Sequence, residues 1–360
     1  MTTLALAYKR LYEGFNYRLR TFAASGWADH CRPTSITLSM TNRCNARCIH
    51  CDIWQNRGPE ETPTVEQWRV VLTDLRRWLG PVQVTFSGGE ALMRPFTIDL
   101  VRHAVAAGLL VEVLSNGYWN NQERIELLAA TNPWRITVSL DGIGATHSLI
   151  RGRGDFFEKT EKSLLTLERL RRERRLGFKI RLKTVVMRQN LDEVCEVAHY
   201  AAAKPGFEVF YQPIEQNYAR AEDPRWFEHS DNWPEDPACA VAVVRQLVNL
   251  KRKGLPIANS FAQLEAMRSY FLHPDLLSLA AQNHSAHEQR TLCSALTTLE
   301  LRAGGEVLTC ARMAPIANIR ERPIRQIWEE RPRWWRGGCC LEKPSCDHLP
   351  EISKSAKSHE

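Results

Sequence analysis

Between Ser35 and Ile214 the chain alternates two hydrophobic rhythms. Short runs rich in apolar and β-branched residues predict strands: SITLSM (Ser35 to Met40), VQVTFS (Val82 to Ser87), LLVEVLSNG (from Leu109), RITVSLDG (from Arg135), FKIRLKTVVM (from Phe178) and FEVFYQPI (from Phe207). The segments between them place apolar residues at helical spacing: TVEQWRVVLTDLRRWL, FTIDLVRHAVAAG, NQERIELLAA, FFEKTEKSLLTLERLRRERR and LDEVCEVAHYAAA. Strand–helix alternation predicts βαβ units and therefore a parallel sheet. Right-handed crossovers curl such a sheet into either a doubly wound arrangement or a barrel-like arc. Six units fall short of the eight of a closed barrel, so the expectation is an α/β fold, a partial (β/α)6 TIM-like barrel. In both arrangements ligands bind at the C-terminal ends of the strands.

Outside this region the rhythm changes. LALAYKRLYEGFNYRLRTFA, within residues 1–34, is basic and amphipathic and reads as a helix packed on its own domain, or one resting on an anionic membrane surface. After the core (35–215), residues 216–290 become rich in Pro, Trp and His and then helical, as in CAVAVVRQLVNLKRKG. Tyr211, Tyr218, Trp226, Phe227, His229 and Trp233 are candidates for lining a substrate mouth, or for a packed surface loop. Residues 291–349 are rich in Cys and Gly and read as a small C-terminal Cys-rich cluster-binding domain; 350–360 read as a disordered tail.

A chain of 360 residues can bury a full-sized core, and a net charge of +7 permits an anionic partner without demanding one. The basic run RLRRERRLGFKIRLK (Arg169 to Lys183) reads as a solvated helix face before it reads as a nucleic-acid surface. No run approaches 18 apolar residues, so no transmembrane helix is expected. No secretory signal is apparent, so a reducing, cytoplasmic setting is expected. There, eleven cysteines point to metal ligation before disulfides.

The sharpest chemistry is TNRCNARCIHCDIW, directly after the first strand. Cys44, Cys48 and Cys51 are spaced C-x3-C-x2-C, and no fourth cysteine lies near. A ferredoxin supplies four cysteines per [4Fe–4S] cluster, so three leave one iron open to an exogenous ligand. Zinc is the alternative, but it wants four ligands, and His50 adjoins Cys51 too closely to converge on the same ion.

This loop resembles the signature of the radical S-adenosylmethionine (SAM) superfamily. The resemblance implies a SAM-cleaving [4Fe–4S] cluster on Cys44, Cys48 and Cys51, with the ring of His50 beside the SAM adenine. FSGGE (Phe86 to Glu90) closes the second strand; Gly88 and Gly89 lack Cβ atoms and allow close backbone approach. By resemblance, Glu90 meets the SAM ammonium. LSNG and SLDG close the third and fourth strands, and the resemblance carries SAM contact onto Asn116 and Ser139, with Arg151 as a carboxylate-binding candidate.

CSALTTLELRAGGEVLTC reads as a β-hairpin with Gly304-Gly305 at its turn, returning Cys310 towards Cys293. It resembles the opening of the SPASM/Twitch extension, which carries auxiliary iron–sulfur clusters. GGCCLEKPSC keeps the five-residue gap between Cys340 and Cys346, but Gly337 and Pro350 stand where flanking ligands would be. The expectation is one auxiliary [4Fe–4S] cluster on Cys293, Cys310, Cys340 and Cys346, with Cys339 competing with Cys340. Cys31, Cys195 and Cys239 read as ordinary residues.

The resemblance implies an oxidoreductase or maturase. It would reductively cleave SAM and abstract hydrogen from a peptide or small-molecule substrate, fed by an electron donor such as flavodoxin or ferredoxin. An RNA-modifying radical enzyme and a non-catalytic iron–sulfur protein are the alternatives; a nucleic-acid partner is not expected.

Overall fold

The computed structural model describes residues 3–21, 27–56, 58–217, 223, 225–274, 294–310 and 314–332. Helix α1 (Thr3–Thr21) precedes a regular series: β1 (Ser35–Ser39), α2 (Val65–Leu79), β2 (Gln83–Ser87), α3 (Thr97–Ala106), β3 (Leu110–Ser115), α4 (Glu123–Ala130) and β4 (Arg135–Ser139). It continues through α5 (Ala145–Arg151), α6 (Phe156–Glu173), β5 (Lys179–Val186), α7 (Val194–Ala202) and β6 (Phe207–Pro213). Helices α8 (Pro237–Arg252) and α9 (Phe261–Leu272) follow, then β7 (Thr298–Leu301), β8 (Glu306–Leu308), β9 (Ala317–Asn318) and α10 (Ile324–Glu329).

Local chemistry fixes the boundaries. Thr64 and Gln67 form a reciprocal capping box at the start of α2, and Gly80 ends the helix at φ +79°. Ser260 and Gln263 repeat the box at α9. The short helix α5, which the hydrophobic pattern does not announce, is bracketed by Gly144 and by Gly152 in the left-handed conformation.

The strands form one sheet in the order β6-β5-β4-β3-β2-β1-β7-β8-β9. Strands β1 to β6 stand in chain order and pair in parallel. A doubly wound sheet reverses its order at a switch point. This one never does over its six core strands, so the open barrel-like arc is the architecture. The hairpin is present, with Glu300 opposite Leu308 and Gly305 at φ +88° in its turn. It is fused to the barrel: β7 pairs in parallel with β1, Thr37 opposite Glu300. That pairing covers a β1 edge that would otherwise expose its backbone. At the other edge, Val209 of β6 is bridged by Pro256 and Ala258.

Side-chain alternation separates two environments. Ile36, Leu38, Val84, Phe86, Val111, Val113, Ile136, Val138, Ile180 and Leu182 face the helices and build the core. The opposite faces line a polar lumen. Its floor is an ion-pair network: Arg135 donates to both oxygens of Glu112 at 2.8 and 2.5 Å, and Arg181 pairs with Glu208 at 2.6 Å. Burial would raise the Glu112 carboxyl, but Arg135 and Thr137 outweigh it and hold it below the ordinary range. The basic run on α6 is partly neutralised, with Arg169 beside Glu173 and Glu126. No helix among the described residues is long and apolar enough to cross a membrane.

Candidate functional site

The cysteine loop lies across the C-terminal ends of β1 to β4. It is anchored on one side by the glycines of FSGGE. The Gly89 amide donates to Thr41 O at 2.7 Å, and the Glu90 amide donates to Arg43 O at 2.9 Å. A Cβ on Gly88 would collide with Thr41 O, and one on Gly89 with Arg43 O. The close approach these glycines permit is therefore to the cysteine loop. On the other side, the amides of Arg47 and Ile49 donate to Arg151 O and Ile150 O of α5, each at 3.0 Å. Glu60 braces the base of the loop through Thr41, Asn42 and Arg94. Asn217 and Asn232 of the connector donate to Ile49 O.

The three thiols share one apolar setting. Cys48 is buried with Ala46, Tyr118 and Phe156, and Cys44 and Cys51 pack against that group. Burial pushes the Cys44 thiol up to about 12, helped by Glu90, and it raises Cys51 too. Thiols so placed ionise readily only against a strong local cation, which iron supplies. Among the described residues no three Cys, His, Asp or Glu side chains gather on one point. A cubane asks for no such convergence, because each thiolate binds its own iron.

Glu90 is 1% exposed, and Leu92 N and Asn116 N donate to its two oxygens at 3.2 and 2.6 Å. Burial pushes its carboxyl up to about 7, and among the described residues no cation sits at ion-pair distance. A buried carboxylate lacking a counter-charge fits an ammonium ligand. The Asn116 side chain is committed to the loop: its amide donates to Asn45 at 2.6 Å and lies 3.7 Å from the Cys44 sulfur. The hydroxyl of Ser139, at the end of β4, has no hydrogen-bond partner among the described residues.

Arg151 is buried between two groups, 2.6 Å from Asp141 and 3.4 Å from the Cys48 sulfur. Burial opposes its charge, but Asp141 and Cys48 more than offset that and raise its pKa. Asp141 is fully buried and held low, because Arg151, His50, His147 and the Val185 amide outweigh its burial. Burial lowers His50 to about 4 and His147 to about 3, so both rings are neutral near pH 7. Nδ1 of His50 is buried without a partner and faces this cluster, an orphaned polar atom in the expected ligand space. Sequence reasoning singled out neither His147 nor Glu60; Asp141 was in view, inside SLDG, but only as a neighbour of Ser139.

Other expectations resolve as follows. Tyr211 is buried and its hydroxyl donates to Val194 O, while Trp233 packs on Trp226, Phe227, Tyr270 and Phe271 at 5.3 to 5.6 Å. These aromatics are core packing, because α8 and α9 need an apolar seam against the barrel. Trp226 and Phe227 are half-buried, His229 is exposed, 2.8 Å from Asp223, and Tyr218 lies outside the described residues. Cys310 is half-buried just past β8; Cys293, Cys339, Cys340 and Cys346 and the tail from 350 lie outside the described residues. A cleft of about 770 Å³ lined by Arg171, Lys179, Phe207 and Pro256 opens at the N-terminal ends of β5 and β6, away from this chemistry.

Residues 38–201 match the family model described as Radical SAM superfamily, so the chain carries a radical SAM domain. It is 26% identical over 310 residues to an AdoMet-dependent heme synthase of Methanosarcina barkeri, covering 82% of each chain. It is 32% identical over 173 residues to a PqqA peptide cyclase of Rhodopseudomonas palustris. That match covers 48% of this chain and 44% of the cyclase, so the chain spans less than half of that relative. Among solved structures it resembles Streptococcus suis SuiB bound to S-adenosylmethionine, with TM-score 0.63 and 16% identity, covering 85% of this chain and 67% of that one. That likeness speaks to the fold. The chain is a radical SAM enzyme that uses a [4Fe–4S] cluster and SAM, and its relatives include peptide-modifying maturases.

Proposed function

We propose that this enzyme abstracts a hydrogen atom from a carbon of a ribosomally made peptide, with SAM seated between Glu90 and the open lumen. The observation that carries the reading is one buried and two half-buried thiols in one apolar group beside the buried Glu90 carboxylate, which has no cation at ion-pair distance among the described residues. When bound, the cluster supplies the electron that splits the SAM sulfonium into methionine and a 5′-deoxyadenosyl radical. The chain's own residues do the rest. Cys44, Cys48 and Cys51 would hold the cluster through their three thiolates, leaving one iron for SAM. Glu90 takes the ammonium. Ser139 offers a free hydroxyl at the end of β4, and His50 offers a neutral ring. Arg151 steadies the charge on Cys48 and, through its remaining N–H, reaches for the carboxylate of SAM. One auxiliary [4Fe–4S] cluster sits on Cys293, Cys310, Cys340 and Cys346, and a flavodoxin- or ferredoxin-like donor in a reducing cytoplasm supplies electrons.

A second reading replaces the peptide with an iron porphyrin, because the heme synthase relative matches over 82% of both chains. Anaerobic, dithionite-reduced enzyme with SAM should form 5′-deoxyadenosine, and the triple Cys44, Cys48, Cys51→Ala variant should form none. Persistent cleavage in that variant would sink the assignment. A short precursor peptide from the gene neighbourhood and iron coproporphyrin III, each deuterated, separate the substrates by which one passes deuterium into 5′-deoxyadenosine.

A further inference from the structure

Among the described residues the barrel lumen holds carboxylate–guanidinium pairs that include Glu112 with Arg135, Glu208 with Arg181 and more loosely with Arg135, and Asp141 with Arg151. Among the described residues Lys183 stands with them and has no ion-pair partner. It sits on β5 two residues after Arg181, so strand alternation points it to the same lumenal side. Leu182, between them, faces the apolar core. Across the sheet its register partners are Ser139 on β4 and Phe210 on β6, and Phe210 is lumenal too, under the Arg181 guanidinium. The charged groups that act on Lys183 are Glu112 below it, Glu215 at the end of β6, and Arg151 and Asp141 above it. Among the described residues none of these carboxylates comes within ion-pair distance of its ammonium. Burial is the main influence on it and holds its pKa below the ordinary lysine range. A half-buried ammonium in the lumen with no counter-ion at ion-pair distance is favourably met by an anion that arrives with a ligand.

Two ligands could bring that anion: SAM, which carries a carboxylate, or the substrate. Position decides between them. Glu90 follows β2, and Lys183 lies on β5, three strand spacings away, about 14 Å measured along the sheet. The ammonium and carboxylate of SAM stand on a single carbon atom, and the reading above gives the first to Glu90 and the second to Arg151, which leaves Lys183 for another anion. Lys183 lies instead level with Ser139, the last residue of β4, on the lumenal wall of β5.

We propose that Lys183 is a substrate-binding residue that holds a carboxylate of the molecule being modified, so that this enzyme selects carboxylate-bearing substrates. The proposal rests on the reading of the site above and deepens it. An acidic side chain or chain terminus of a peptide satisfies it, as does a porphyrin propionate. The salt bridge fixes the distance between the anchored carboxylate and the carbon presented for hydrogen abstraction, with Phe210 as the apolar wall beside it.

The test uses SAM-loaded, iron-replete holoenzyme and needs no knowledge of the natural substrate. Sodium glutarate is the probe, titrated calorimetrically under anaerobic conditions, with glutaramide as its neutral counterpart. Wild type should bind glutarate and not glutaramide. Lys183→Met should bind glutarate at least tenfold more weakly, and Lys183→Arg should recover it. SAM affinity and uncoupled 5′-deoxyadenosine yield should stay unchanged in both variants. If Lys183→Met loses iron, Lys183→Gln takes its place. Equal glutarate affinity in wild type and the neutral variant, or none in wild type, overturns the proposal. So does a fall in SAM affinity with glutarate binding intact, which would assign Lys183 to the SAM carboxylate. Absence of SAM cleavage by wild type, measured on the same preparation, would instead remove the underlying reading of the site and the proposal with it.

Discussion

At the scale of single residues, Glu90 and Gly89 show how one short motif serves two ends. Glu90 accepts from two backbone amides and still lacks a cation, so removing it should touch the ligand more than the fold. A charge-assisted hydrogen bond is worth about 1.5–3 kcal/mol, so Glu90→Ala should weaken SAM binding roughly tenfold to a hundredfold while iron content holds. Anaerobic calorimetry checks this, and an unaltered affinity refutes the ammonium contact. Gly89 acts differently. Its Cβ would meet the Arg43 carbonyl beside Cys44, where backbone gives way poorly. Gly89→Ala should cost about 1–3 kcal/mol of overpacking strain and lower the iron bound per chain, with SAM affinity falling only in proportion. Iron analysis against SAM affinity per cluster separates these outcomes.

At the scale of elements, the strands were legible because their apolar runs are short and bounded by Gly, Asn and Asp, and all six predicted strands of the core are present. The three-cysteine loop and FSGGE were legible because their spacing is local. What the pattern could not carry was non-local. Lys183 and Arg181 sit in a segment that reads as basic surface, yet alternation turns both into the lumen. Asp141, His147 and Arg151 become one cluster only after α5 folds back over the cysteine loop. The hairpin was visible as a hairpin, but its parallel pairing with β1 spans more than two hundred residues of chain. The lumen floor carries its own prediction. Glu112→Ala leaves Arg135 buried with only Glu208, 3.9 Å away, as a partial partner. Breaking a buried pair costs about 3–5 kcal/mol, and the neighbour should keep the loss near the lower bound. At an unfolding entropy of about 2.1 cal/mol/K per residue, a chain of 360 residues shifts by about 1.3 °C per kcal/mol, so Tm should fall by roughly 4 °C. A thermal scan showing no change would mean that the network contributes nothing to stability.

At the scale of the molecule, the question is how many clusters the chain holds. The hairpin that carries Cys310 is welded to the barrel through β7 and β1, and Trp328 of α10 donates to Cys31 O at 2.9 Å and packs on Trp78 of α2. The described part of the C-terminal segment, from β7 to α10, is therefore tied to the barrel by protein contacts. This makes a clean iron count feasible: losing one cluster should not unfold the site of the other. Four cysteines saturate a [4Fe–4S] cluster, and five C-terminal cysteines, with Gly337 and Pro350 where further ligands would stand, suffice for one such cluster. Reconstituted wild type should hold about eight irons, and the Cys44, Cys48, Cys51→Ala variant about four, with Tm nearly unchanged. Cys310→Ala should do the converse, keeping the SAM-cleaving cluster and uncoupled 5′-deoxyadenosine formation while substrate turnover falls. Mössbauer spectra showing three clusters in wild type would refute the single auxiliary cluster. No iron left in the triple variant would mean that the C-terminal cysteines hold none.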